Sequence, residues 1–163
     1  MGIININPEL KSAVISSCGK FRYLLSRGAC LNPLVFVMLN PSIADAYIDD
    51  PTIKRCKGFA SLAGFDGIIV VNLYAYRATN PKEVFQFQDP VGTENDAYIL
   101  EVAAKHKNIV CAWGSNAEKA RAEHVLSLLN RADAKIFCLG LNKNGSPKHP
   151  LYIPSDQNLI KFA

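Results

Sequence analysis

The sequence lacks the patterns that identify several common kinds of site. It has no run of about 18 apolar residues, so no membrane span and no membrane partner is predicted. It has no CxxC pair, which argues against zinc and iron–sulfur sites. GxGxxG, GxxxxGK[ST] and GxSxG motifs are also missing, so dinucleotide, P-loop and serine-hydrolase sites are not indicated. The three histidines are not at metal-ligand spacing, and we expect no metal and no cofactor.

The cysteines and the bulk composition indicate an ordinary cytoplasmic protein. The five cysteines are widely spaced and odd in number, and Cys111 and Cys138 lie inside apolar runs, where cysteine is usually a small buried hydrophobe. A reducing compartment is therefore expected. A chain of 163 residues, 49% of them hydrophobic, suits a single domain spanning 1–163. Its net charge of +4 permits nucleic-acid or phosphate partners.

Four apolar runs alternate with helical patterns along the chain. The runs are VFVML, GIIVVNLYAY, NIVCAW and KIFCLGL. Each is typical of a strand that is covered on both faces, and helices capped by Asp50, Thr93 and Ser115 are predicted between them. Strands joined by helices pair in parallel. The pattern predicts a three-layer α/β/α sandwich with a mainly parallel, four-stranded central sheet, preceded by a hairpin or edge strand from AVISSC and KFRYLLSRG.

Polar and aromatic side chains follow the predicted strands at their carboxyl ends. Asn40 and Ser42 follow the first strand, Asn72 the buried part of the second, and Trp113 ends the third. His149 lies in the loop beyond the fourth strand. Because these ends form the ligand crevice of an open parallel sheet, we expect the five side chains to converge there, together with the aspartates that follow the first strand and Arg77 that follows the second.

Several of these residues also have a purely structural interpretation. Asn40 before a proline is common in turns, and Trp113 suits a core. Tyr74 and Tyr76 either stack on a base or pack in the interior. Asn72 is different, because a buried amide needs partners and carries both the donor and the acceptor required to read a nucleobase edge.

Three aspartates follow the first strand within a few residues of one another. Asp50 precedes a proline and an apolar helical pattern, so it is predicted to cap that helix. Asp45 and Asp49 remain open as catalytic carboxylates or structural ones. A Mg²⁺ site on this acidic loop, serving a small-molecule hydrolase, is an alternative.

Four basic residues are candidates for contacts with phosphate groups. They are Arg55, Arg77, Lys143 and Lys148. Such residues contact phosphates in nucleic-acid-binding proteins, but they are equally typical of a solvated surface. Arg77, which directly follows the second strand, also has the option of pairing with the aspartates.

The chain resembles a bacterial and phage family known as domain of unknown function 1643. The resemblance covers most of the chain from Arg22 onward. It is carried by FRYLLSR, FVMLNPSIADAYIDDPTIKRCKGFA, VVNLYAYRATNP, DPVGTEND, CAWGS and CLGLNKNGSPKHPLYI. This family brings no established activity.

A more distant resemblance is to the uracil-DNA glycosylase superfamily. MLNPS is similar to its water-activating loop, VVNLYAYRA to its base-reading strand, AWGSNAEKA to a strand–helix junction, and KHPLYI to its histidine loop. The resemblance implies that Asn40 positions water, Asn72 reads the base, His149 stabilises the departing base and Leu151 wedges into DNA. Ser42 stands where the superfamily carries the tyrosine of the uracil pocket.

The resemblance implies a glycosylase-like fold and a nucleobase-processing enzyme acting on DNA or a nucleotide. The base would be extruded into the crevice and its glycosidic bond broken, with Asp45 or Asp49 supplying a carboxylate. Two alternatives stay open. One is a non-catalytic module that binds nucleic acid or a nucleotide, and the other is the hydrolase with an acidic loop.

Overall fold

The computed structural model describes residues 3–43 and 46–163 of the chain. These residues form seven strands, which are β1 (Lys11–Ile15), β2 (Arg22–Gly28), β3 (Leu34–Met38), β4 (Gly67–Asn72), β5 (Asn108–Cys111), β6 (Lys135–Cys138) and β7 (Ile160–Lys161). The four α-helices are α1 (Pro51–Leu62), α2 (Pro81–Gln86), α3 (Asn95–His106) and α4 (Lys119–Arg131). A short 3-10 helix spans Pro150–Tyr152.

The strands form one mixed sheet in the order β1-β2-β4-β3-β5-β6-β7. β3 lies between β4 and β5 and is parallel to both, and β6 is parallel to β5. β2 pairs antiparallel with β4 on one side and with β1 on the other. The pairing of β1 with β2 confirms the predicted N-terminal hairpin. β7, which was not predicted, pairs antiparallel with β6. The carboxyl ends of the four parallel strands therefore meet at one edge of the sheet.

The alternation of side chains along β3 divides the core into two clusters. Val35 and Val37 pack in a cluster with residues of α3 and α4. Phe36 and Met38 pack in the other cluster with residues of α1. Because successive side chains of a strand point to opposite faces, both faces of the sheet are covered by helices. This explains why the strand is apolar throughout rather than alternating.

Two of the three predicted helix caps are wrong. Asp50 does cap α1, since its carboxylate accepts a hydrogen bond from the backbone N–H of Ile53 at 2.8 Å. Thr93 and Ser115 do not cap α3 and α4, which begin later, after Glu94 and Glu118. Glu118 is held by the Tyr74 hydroxyl through both its backbone N–H and its carboxylate, and α4 starts only beyond this contact.

Among the residues that the structure describes, no helix has both the length and the apolar character needed to cross a bilayer.

Candidate functional site

A pocket of about 410 Å³ opens at the carboxyl ends of the parallel strands. It lies on the α1 side of the sheet, where Met38 and Val70 belong to the cluster that packs on that helix. Six of the side chains predicted to form the site line this one pocket. They are Asn40, Ser42, Asn72, Trp113, His149 and Leu151. The structure therefore brings together residues that are more than one hundred positions apart in the sequence.

Asn72 ends β4 and presents a buried amide to the pocket. Only 2% of the residue is exposed. Its backbone carbonyl accepts a hydrogen bond at 2.9 Å from the side-chain nitrogen of Asn95, which is fully buried on α3. None of the hydrogen bonds among the described residues involves the side-chain amide of Asn72. The strand end is thus held through its backbone, and the amide keeps a donor and an acceptor for a ligand.

Asn40 is anchored through its side-chain nitrogen. Nδ2 donates to the carbonyl of Pro41 at 3.0 Å and to the carbonyl of Ala78 at 2.8 Å. These two bonds use both amide hydrogens, so the group that remains for a ligand is the acceptor Oδ1. Such an oxygen can orient a water molecule by accepting one of its hydrogens, but an amide is too weak a base to deprotonate it.

His149 is fixed in one tautomer by the turn that follows it. Its Nδ1 accepts a hydrogen bond from the backbone N–H of Leu151 at 3.2 Å. Burial lowers the pKa of the imidazole, and this effect outweighs the opposing influence of Asp50. The ring is therefore neutral at pH 7, and its proton lies on Nε2. A neutral N–H donor in a pocket can stabilise negative charge that develops on a ligand.

The acidic residues separate from one another in the structure. Asp49 does not line the pocket, because Arg27 and Lys57 bind its carboxylate at 2.7 and 2.9 Å. Asp50 lines the pocket in addition to capping α1. Asp45 lies outside the described residues. The pairing of Asp49 with two basic residues gives it an ion-pair role, and of the two aspartates that the structure describes in this loop, Asp50 lines the pocket.

The residues that follow Asn72 turn away from the pocket. Tyr74 is buried and donates its hydroxyl hydrogen to Glu118 at 3.0 Å. Tyr76 stacks on Phe87 with ring centroids 4.0 Å apart. Arg77 donates to the backbone carbonyls of two loops, at residues 19 and 43. The structure gives these three predicted ligand contacts packing and loop-bonding roles instead.

The predicted phosphate contacts also lie outside the pocket. Arg55 donates to the carbonyl of Pro150 at 3.3 Å and thereby links α1 to the histidine loop. Lys143 is exposed, and Lys148 is partly buried beside Gly140. None of the three basic side chains lines the pocket.

Arg22, at the start of β2, is a pocket residue that sequence reasoning missed. It lines the pocket although only 5% of it is exposed. The signal that was available is its position inside the apolar stretch FRYLL, where an arginine at a core strand needs a reason. Asn72, which lines the same pocket, lies on the adjacent strand β4.

Residues 22–151 match the model of a protein family described as a protein of unknown function, DUF1643. No curated protein matches the chain significantly. The matched region begins at Arg22 and ends at Leu151, and it includes Asn40, Asn72 and His149. The family match therefore covers the segments that form the pocket.

Proposed function

We propose, from the premise that the chain belongs to the DUF1643 family, that the pocket recognises a nucleobase, either free, in a nucleotide or extruded from DNA. The observation that carries this proposal is the side-chain amide of Asn72, which is buried at the pocket wall without a hydrogen-bond partner among the described residues. A ligand that covers this amide without pairing with it loses about 1–3 kcal/mol, so a ligand that offers matching groups is favoured over one that does not. A nucleobase edge offers a matching donor and acceptor.

The other pocket residues support a glycosylase-like reaction. In that reaction the bond between the sugar and the base nitrogen breaks, and both of its electrons leave with the base. The Nε2–H of His149 donates to a base oxygen and stabilises this charge. Oδ1 of Asn40 orients a water molecule, whose oxygen bonds to the sugar carbon, and the water's proton passes through solvent to the base. The carboxylate of Asp50 faces the cationic sugar.

The architecture is compatible with this proposal. The mixed sheet is covered by α1 on one face and by α3 and α4 on the other, which supports the proposed relationship to the uracil-DNA glycosylase sandwich. We include this fold relationship in the proposal. The role of Leu151 as a wedge and that of Ser42 as a wall of the base pocket also belong to it.

Two experiments test the proposal. In the first, the protein is titrated with free bases and nucleosides, with the fluorescence of Trp113 as the signal, because it is the one tryptophan and lines the pocket. We expect binding that weakens roughly 10-fold or more in Asn72→Leu, since leucine removes donor and acceptor at similar size. The matched control is Asn130→Ala on an exposed position of α4, which should bind as the wild type does. Equal binding by Asn72→Leu would refute the proposal.

The second experiment separates catalysis from binding. Oligonucleotides and nucleotides that carry uracil, hypoxanthine or oxidised bases are incubated with the protein, and the release of free base is measured. Release that His149→Ala abolishes indicates the glycosylase. Binding without release on any substrate indicates the non-catalytic module. Among the described residues, which do not include Asp45, no group of three acidic, histidine or cysteine side chains could hold a metal.

A further inference from the structure

Arg22 is buried in the pocket wall, and its guanidinium has no hydrogen-bond partner among the described residues. Its Nε is inaccessible and has no hydrogen-bond partner, and the side chain takes part in none of the hydrogen bonds or ion pairs of the described residues. The buried Arg27 on the same strand is different, because it bonds to Asp49 and to two backbone carbonyls. A buried charge that lacks compensation is costly. Within the part of the chain that the structure describes, Arg22 feels the charge of nearby Asp50 but bonds to no carboxylate, so its guanidinium can bind an anionic group of a ligand.

Arg22 belongs to the buried part of the pocket lining. Met38 and Val70 line the pocket and are also buried, whereas Leu151 and Tyr152, which line it too, are 41% and 79% exposed. The backbone N–H of Arg22 donates to the carbonyl of Ala75 at 2.9 Å, which fixes the start of β2 beside the segment that follows β4. A ligand group that reaches Arg22 must therefore pass into the pocket rather than rest at its mouth.

The guanidinium keeps its charge in this position. Burial, and after it the nearby Arg77, lower the pKa of Arg22 to about 10, with Asp50 acting in the opposite direction. A group with this pKa is protonated at pH 7. The planar fork of a guanidinium matches the oxygens of a phosphate or a carboxylate, with which it forms strong, charge-assisted hydrogen bonds.

We propose that Arg22 binds a terminal phosphate of the ligand, and that the substrate class of this pocket is a nucleoside monophosphate. This inference rests on the proposed function, because it takes the base to be read by Asn72. A terminal phosphate can enter the pocket, whereas a phosphodiester carries chain on both sides and stays near the mouth. The volume of about 410 Å³ lies within the range of roughly 300–1,000 Å³ that small-molecule sites occupy.

The test compares three probes by the quenching of Trp113 fluorescence. The probes are the four deoxynucleoside 5′-monophosphates, the matched deoxynucleosides and inorganic phosphate. Each is titrated into the wild type, into Arg22→Met and into the control Arg131→Met, an exposed arginine at the end of α4. Methionine keeps the length of the side chain and removes an uncompensated buried charge, which is often neutral or stabilising for the fold. Arg22→Lys, which keeps the charge, provides a second variant.

We expect at least one monophosphate to bind roughly 10- to 100-fold more tightly than its nucleoside, and Arg22→Met to abolish that difference. Arg22→Lys should retain part of it, and Arg131→Met all of it. If the nucleoside and the monophosphate bind equally tightly, the inference is overturned and the proposed function is left intact. The same holds if Arg22→Met weakens the binding of the nucleoside and of the monophosphate by the same factor. Phosphate binding that needs Arg22, without binding of any nucleoside, would support the anion site and refute the nucleobase. If none of the three probes binds, both the monophosphate and the recognition of a base in a nucleoside or a nucleotide are refuted.

Discussion

Substituting Asp49 by asparagine should destabilise the protein through Arg27. The Arg27 side chain is completely inaccessible, and its Nε donates to the Asp49 carboxylate at 2.7 Å. The asparagine keeps the shape but removes the negative charge, so the buried guanidinium loses its counter-ion. Breaking a buried pair in this way costs about 3–5 kcal/mol. Because 13% of the Asp49 side chain is exposed, water compensates part of the loss, and we expect about 3 kcal/mol.

Thermal unfolding followed by circular dichroism measures this effect. For a chain of this size about 3 kcal/mol lowers the Tm by roughly 6–12 °C. The matched control is Glu123→Gln, which breaks the exposed pair between Lys119 and Glu123, whose side chains are 89% and 64% exposed. Such a pair contributes at most about 0.5 kcal/mol. A Tm of Asp49→Asn within roughly 2 °C of the wild type would refute the reasoning.

The pH dependence provides a second check on the same ion pair. Partial burial acts to raise the pKa of the Asp49 carboxyl, but hydrogen bonds from Arg27 and Lys57 outweigh it and leave the pKa below its ordinary value. The stability that this carboxylate contributes is therefore complete above the unfolded-state pKa of about 3.9 and is lost as pH falls through the folded-state pKa. The Tm difference between the wild type and Asp49→Asn should be constant near pH 7 and shrink below about pH 4.

Three further predictions concern the pocket and its support. Asn40→Asp should lower the Tm by several degrees, because its carboxylate would face the carbonyl of Ala78 that Nδ2 now binds; an unchanged Tm would contradict this. Gly67→Ala should cost at least about 2 kcal/mol in urea unfolding, since its methyl group would lie 2.5 Å from the carbonyl oxygen of Arg27; wild-type stability would contradict it. Ligand affinity that depends on neutral His149 should fall with a midpoint below the ordinary imidazole pKa of about 6.5, because burial lowers this pKa; a midpoint above that value would contradict the prediction.

The central strands could be predicted because their sequences are apolar without alternation. The carboxyl end of the second predicted strand could not be predicted, because GIIVVNLYAY stays apolar beyond Asn72, where β4 ends. β7 and α2 were missed for a different reason. β7 has two exposed residues, and α2 has six residues of which Val84 is buried, so neither carries a measurable period.

The pocket was predictable where it depends on topology and unpredictable where it depends on packing. Asn40, Asn72 and His149 follow parallel strands, and the strand-end rule alone brings such residues together. Arg22 lies at the start of an antiparallel strand, to which that rule does not apply. Tyr76, four residues beyond Asn72, lies outside the pocket, because the chain at Tyr76 forms an antiparallel bridge with Phe21 instead of continuing along the crevice.

The three central pocket residues share one design, in which backbone contacts hold one part of the residue and leave another part free. In Asn40, Nδ2 donates to a backbone carbonyl, and the acceptor Oδ1 remains for a ligand. In His149, Nδ1 accepts from a backbone N–H, and the donor Nε2–H remains. In Asn72, the backbone carbonyl accepts a hydrogen bond, and both the donor and the acceptor of the side-chain amide remain. Groups fixed in this way lose little conformational entropy when a ligand binds. Under the proposed function, the pocket favours a ligand that places a hydrogen-bond donor or a water molecule against Asn40, an acceptor against His149 and a two-sided polar edge against Asn72. A ligand without that edge would leave the amide of Asn72 unpaired, so the proposal predicts that such a ligand binds more weakly.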